Sequence, residues 1–241
     1  MTRQHPEAAD LQDRIRTVLE KHYHHHHPFN VAMHEGSLSP DEIRCWIRNR
    51  YHYQQAIPIK DSLILANMPS AEERRRWLPR IVEHDGGLTP DGGLAAWLRL
   101  GEAAGLARAT LLDACGVLPR VRFAVDAYIN FCRFRPWQEA VAASLTELFA
   151  PDLMSRRIKA FEQHYPWIAS EGLDYFRSRV TQGRNDATEG LALLPASPRT
   201  PEVTERLVGA VEFKCDILWS ILDAIAAASG DARSRRADQH G

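Results

Sequence analysis

Four cysteines are scattered along 241 residues, at Cys45, Cys115, Cys132 and Cys215, and no two form a CxxC pair. That spacing argues against a structural zinc site and for reduced thiols in a cytoplasmic protein. Long apolar runs are missing too: none approaches the roughly 18 residues of a membrane span. The first twenty residues are mixed polar and carry acids, unlike a secretion signal. Neither sign of charge dominates. Lys and Arg total 30 against 31 Asp and Glu, for a net charge of −1, so no global field selects nucleic acid or an anionic membrane. β-Branched alternation is absent, and turn signals fall between helical periods, which removes strands. Glu-x-x-His, His-Glu-x-x-His, Gly-x-Ser-x-Gly, Walker and Gly-x-Gly-x-x-Gly patterns do not occur. Hence no metal, acyl-transfer, nucleotide or dinucleotide site is supported. The run His24–His27 invites a metal reading, with His24 and His27 as its best-spaced pair, but no partner motif accompanies it.

What is present is helical periodicity. The chain is 44% hydrophobic and 25% charged, ordinary for a globular protein. Helices are expected over Ala9–Tyr23, Asp41–Asn67 with a kink at Pro58, Ala71–His84, Leu94–Ala104, Leu106–Cys115, Arg120–Phe134, Trp137–Phe149, Asp152–His164, Gly172–Leu194 and Glu202–Ala228. The expectation is one all-α domain over 1–241, with 1–8 and 230–241 disordered. A helical bundle of this kind places its site between facing helices.

Several of these helices turn polar groups onto apolar faces. Ile43, Ile47, Arg50, Gln54 and Ile57 share one face, apolar at both ends and polar in the middle. Arg50 offers a planar fork suited to a carboxylate, and Gln54 both donates and accepts. In the last helix Leu207, Val211, Lys214, Leu218, Ile221 and Ile225 form a stripe with an ammonium in it. Such a group either snorkels or faces a polar cavity. His84 ends a stripe before a Gly-rich break, where it serves either the helix dipole or proton transfer. Tyr175 and Arg179 flank an apolar face. Tyr128 lies in a stripe, and the bland reading of Thr146 is a hydroxyl bonded to the preceding turn. Together with Lys60 and Arg80 these residues imply a basic cavity with few acids on the same faces. Glu139, Glu147 and Glu162 are expected to cap or pair at the surface. Such a cavity suits a small polycarboxylate.

The strings HPFNVAMHEG, NRYHYQQAIPIKD, EHDG followed by DGGLAAWLRLGEAAGL, VRFAVDAYINF, SLTELFAP, QHYPWI, YFRSR and EFKCDILWSILDA occur in that order. Together they resemble the pyrroloquinoline-quinone synthase family, of the haem-oxygenase-like superfamily, over roughly residues 20–228. The resemblance implies a compact seven-helix bundle that forms a homodimer. It implies ring closure and O₂-dependent, multi-electron oxidation of a bicyclic quinone bearing three carboxylates, giving pyrroloquinoline quinone and H₂O₂ with neither metal nor redox cofactor. It implies that Tyr23, His24, Arg50, Gln54, Lys60, Arg80, Tyr128, Thr146, Arg157 and Lys214 surround the ligand. It further implies that His84, Tyr175 and Arg179 form the oxygen and acid–base end, with His84 or Lys214 as the candidate base. The loop Asp85–Gly93 is expected to fold over the ligand as a lid. Members of the family carry histidine where this chain has Met154, which cannot exchange protons. The alternatives are a non-catalytic carrier of the quinone, or a thiaminase-like or metal-dependent enzyme on the same fold.

Overall fold

The computed structural model describes residues 6–89, 91–194 and 200–238, with side chains described from 11 to 230 within those spans. The described residues form eleven α-helices, four short 3₁₀ turns and no strand. The α-helices are α1 (Pro6–His22), α2 (Pro28–His34), α3 (Pro40–Asn67), α4 (Ala71–Asp85), α5 (Gly93–Ala103), α6 (Arg108–Leu112), α7 (Pro119–Phe134), α8 (Trp137–Ser144), α9 (Ala150–His164), α10 (Asp174–Leu193) and α11 (Pro201–Asp238). The all-α bundle expected from the sequence is present. It is cut into more than seven pieces because proline restarts the chain: Pro28 and Pro119 stand in the first turns of α2 and α7, and Pro136 caps α8.

α3 is the central element. Ser39 opens it with a capping box closed by Glu42, Pro40 stands in the first turn, and the helix continues through Pro58 to Asn67. It packs against α4, α5 and α7, while α11 packs against α1, α7 and α8, and α10 lies on α9. Ile43, Trp46, Ile47 and Ile64 of α3 are buried, with Trp97, Phe161 and Phe176 around Trp46. Much of the apolar surface removed from water thus lies around this helix, and with it much of the driving force for collapse.

The last helix departs from expectation. The sequence pattern ends it at Ala228 before a disordered tail, whereas it runs to Asp238. Adding residues to an existing helix is far cheaper than starting one, and Asp231–Asp238 offers alanine and arginine with no proline. At the other end α1 starts at Pro6, inside the segment expected to be disordered. Residues 1–5 and 239–241, the remainder of those two expectations, lie outside the described residues.

Candidate active site

A cavity of about 490 Å³, partly open to solvent, lies where α3, α9, α10 and α11 meet the turns before α2 and α9. α3 contributes Arg50, Tyr53, Gln54 and Ile57, spaced three, one and three apart on one face. Tyr23 and His24 come from the turn after α1, and Thr146 and Glu147 from the 3₁₀ turn Leu145–Phe149. Met154, Tyr175, Arg179 and Leu218 complete most of the wall. Seven of the thirteen sequence-predicted residues therefore line it: Tyr23, His24, Arg50, Gln54, Thr146, Tyr175 and Arg179.

The other six stand behind the wall. His84 Nε2 lies 3.2 Å from Gln54 Oε1, which also accepts from the Tyr175 hydroxyl at 2.8 Å. A carbonyl oxygen only accepts, so Nε2 carries the proton. Burial, then Arg179 and Lys60, pull the His84 pKa down to about 3, so the ring is neutral. Burial raises the Tyr175 phenol, which stays protonated. Lys214 is buried and donates to the Tyr53 hydroxyl at 2.6 Å, with its ammonium over the Tyr128 ring. Burial, Lys60 and Arg50 all push the Lys214 pKa well down. Lys214 thus neither snorkels to the edge nor lines the cavity: it is buried behind Tyr53. Tyr128 reaches Ser144 Oγ at 3.4 Å and does not touch the cavity.

Lys60 and Arg80 correct the picture of a basic cavity with few acids. Lys60 Nζ lies 2.6 Å from Asp61 and 3.0 Å from Ser144. Arg80 grips both oxygens of Glu147 at 2.5 Å and lies 3.5 Å from Asp61 and from Asp186. Arg179 holds the other oxygen of Asp186 at 2.9 Å. Three cations thus meet three carboxylates in one buried network. Glu147 lies on the cavity wall and not at the surface, against expectation. Arg80, Lys60 and Arg179 outweigh the burial that would otherwise raise its pKa, and they hold it well down. Glu139 is buried as well, with Arg206 and Arg135 as partners, while Glu162 pairs with Arg177 at the surface as expected.

The remaining cations have no such partner. Arg50 lies 4.0 Å over the Tyr53 ring, and among the described residues it joins no carboxylate. Arg157 is buried on α9, donates to Asn30 Oδ1 at 3.0 Å and keeps an unpartnered Nε. Burial, then Arg50, lower its pKa to about 9. His24 sits beside them, neutral through burial, Arg50 and Arg157, with an unpartnered Nδ1. One flank of the cavity is therefore charge-compensated; the other has Arg50 on its wall and Arg157 buried behind it, and among the described residues neither guanidinium pairs with a carboxylate. His24 and His27 do not form a pair: His27 accepts from Phe29 N–H and meets Asp223 at 3.0 Å. Among the described residues, no group of three or more His, Cys, Asp or Glu side chains is placed to hold a metal ion.

The TENA/THI-4/PQQC family matches residues 14–224. The chain belongs to this family. Within the TENA/THI-4/PQQC family it is similar to a pyrroloquinoline-quinone synthase of Klebsiella pneumoniae, 52% identical over 206 residues that cover 86% of this chain and 82% of that one. A pyrroloquinoline-quinone synthase of Pseudomonas aeruginosa is 50% identical over 223 residues, covering 92% and 89%. One of Acinetobacter baumannii is 46% identical over 227 residues, covering 93% and 90%. Among solved structures, a domain of unknown function with a haem oxygenase-like fold from Shewanella denitrificans superposes with a TM-score of 0.76 at 14% identity, covering 94% of each chain. A TenA homologue from Pseudomonas syringae gives 0.69 at 14% identity, covering 91% of this chain and 92% of that one. Likeness at that identity shows the fold of this TENA/THI-4/PQQC member and nothing about its chemistry.

Proposed function

We propose that this chain is a pyrroloquinoline-quinone synthase. It takes a bicyclic quinone precursor with three carboxylates, closes the third ring and oxidises it with O₂, releasing H₂O₂, with neither metal nor redox cofactor. The observation that carries the reading is a pair of guanidiniums that, among the described residues, join no carboxylate: half-buried Arg50 on the cavity wall and Arg157 buried behind it. A polar hollow partly open to solvent suits a small, rigid guest, and substrate carboxylates supply the missing charge. The names of relatives at 46–52% identity support it.

In this reading Arg50 anchors a carboxylate, and its charge with that of Arg157 behind the wall stabilises the anion formed when the quinone takes up the electron pair released as the newly closed ring loses its C–H and N–H protons. Holding the substrate amine against a ring carbonyl replaces a diffusional encounter. Each two-electron oxidation removes two electrons and two protons from the ring and converts O₂ to H₂O₂. Neutral His84 gives its Nε2–H to Gln54 Oε1, so its Nδ1 is the nitrogen left to take a proton. Tyr175, protonated, and Arg179 line the cavity; the phenol supplies a proton to reduced oxygen and the guanidinium neutralises its charge. Lys214 tunes the Tyr53 hydroxyl. The protein acts as a homodimer in the cytoplasm.

The test is anaerobic mixing with the precursor, followed by admission of O₂. Formation of the product quinone spectrum with peroxide release is expected, and R179S or H84A should slow it by about 10²-fold or more. Binding with no O₂ uptake would make the protein a carrier and overturn the reading.

A further inference from the structure

We infer that Asn30 is a positioning residue that keeps the cavity anion-selective, because it holds Arg157 with a neutral amide where a carboxylate would cancel it. The inference rests on the reading of the cavity as a polycarboxylate site. Asn30 lies on α2 and is fully buried. Both ends of its side chain are engaged. Nδ2 donates to the His24 backbone carbonyl at 2.8 Å, and Oδ1 accepts from Arg157 Nη2 at 3.0 Å. One amide thus ties a wall residue of the cavity to a guanidinium supplied by α9.

Among the described residues, Arg157 makes no ion pair with a carboxylate. The guanidinium lies 4.9 Å from the Trp46 ring centre and 5.7 Å from that of Phe176, and its Nε is buried without a partner. Arg80 and Arg179, in the same fold, are each given a carboxylate. Aspartate has nearly the volume of asparagine and would form a charge-assisted pair with Arg157 from the same position. It would also satisfy the guanidinium internally, so that an arriving carboxylate would have to compete. An amide accepts one hydrogen bond, fixes the direction of the fork and leaves the full charge for the guest. Its second bond to the His24 carbonyl is one an aspartate could not donate.

The test is equilibrium dialysis of the full chain against pyrroloquinoline quinone and against its neutral trimethyl ester. Wild type, Asn30→Asp and Asn30→Ala are compared. Both variants lose the bond to His24, so they differ in charge. N30D should bind the triacid at least tenfold more weakly than N30A, while the two variants bind the triester within about twofold of each other. A merely structural role would weaken both ligands alike, and that result overturns the inference, as does N30D binding the triacid as tightly as N30A. Circular dichroism checks the fold. Should N30D not fold, Arg157→Gln decides: removing the charge that Asn30 leaves free should cut the preference for triacid over triester by about tenfold or more, and an unchanged preference is fatal. If wild type binds no triacid, the functional reading fails and takes this inference with it. If wild type binds and N30D binds equally, the inference alone fails.

Discussion

His84 is neutral because the fold buries it beside Arg179, which holds its pKa at about 3 against an ordinary 6.5. Between those values the unfolded chain binds a proton that the native state refuses. Stability should therefore be level with respect to this group above pH 6.5 and fall as the pH drops below it. The slope is at most about 1.4 kcal/mol per pH unit for each such histidine. His24, well below its ordinary value, and His34, at about 4, add to the same slope. Urea unfolding between pH 8 and 5 should show a steep loss on the acid side, and H84Q should remove one proton from that slope. An equal slope in the variant would refute the assignment. Lys214 predicts an opposite trade. Replacing a buried amine with an apolar chain of similar length, K214M, should stabilise the fold by about 1–3 kcal/mol in thermal or urea melts. It should also slow O₂-dependent conversion, because the Tyr53 hydroxyl loses its donor.

At this scale the sequence is partly legible. Arg50, Gln54 and Lys214 betray themselves by standing in apolar stripes. Tyr53 sits on the same face, three residues after Arg50, yet a phenol reads as apolar and raises no alarm. Asp61 and Asp186 escape notice for a different reason. Their shared partner Arg80 brings α3, α4 and α10 together, and no local pattern records a pairing across helices.

Helix boundaries are legible where local chemistry sets them. Capping boxes at Ser39 and Ser70 mark the starts of α3 and α4, and Gly86, with φ of 92°, terminates α4 in a conformation glycine adopts freely. α2, with seven residues, is too short for a period to show. Contact between elements leaves fainter traces. A Cβ on Gly172 would come within 2.6 Å of the Ala103 Cβ, where the turn Ser170–Leu173 meets α5. Neither atom can rotate away. G172A should destabilise by about 1–3 kcal/mol, read as a lower denaturation midpoint, while helical content at low temperature is unchanged. A neutral effect would mean that the two segments separate easily.

The whole molecule carries nearly balanced charge, so its response to salt should come from the cavity and not from a long-range field. A triacid bound to the native state alone adds about 2.7 kcal/mol at one hundred times its dissociation constant. For a chain of this size that corresponds to a rise in melting temperature of about 5–11 °C. Pyrroloquinoline quinone should produce such a rise in a thermal shift experiment, and 0.5 M NaCl should shrink it. A rise that ignores salt would mean that ring stacking, not charge, holds the guest.

The two flanks of the cavity differ in a way that bears on how the guest arrives. Glu147 and Asp186 already quiet the side that carries Arg80 and Arg179, whereas the side with Arg50 and Arg157 is left electrically hungry. A planar molecule with acids around its rim feels a gradient across the hollow, and it enters one way round. On the proposed reading, the fold thereby chooses which edge of the ring system meets oxygen before any bond changes.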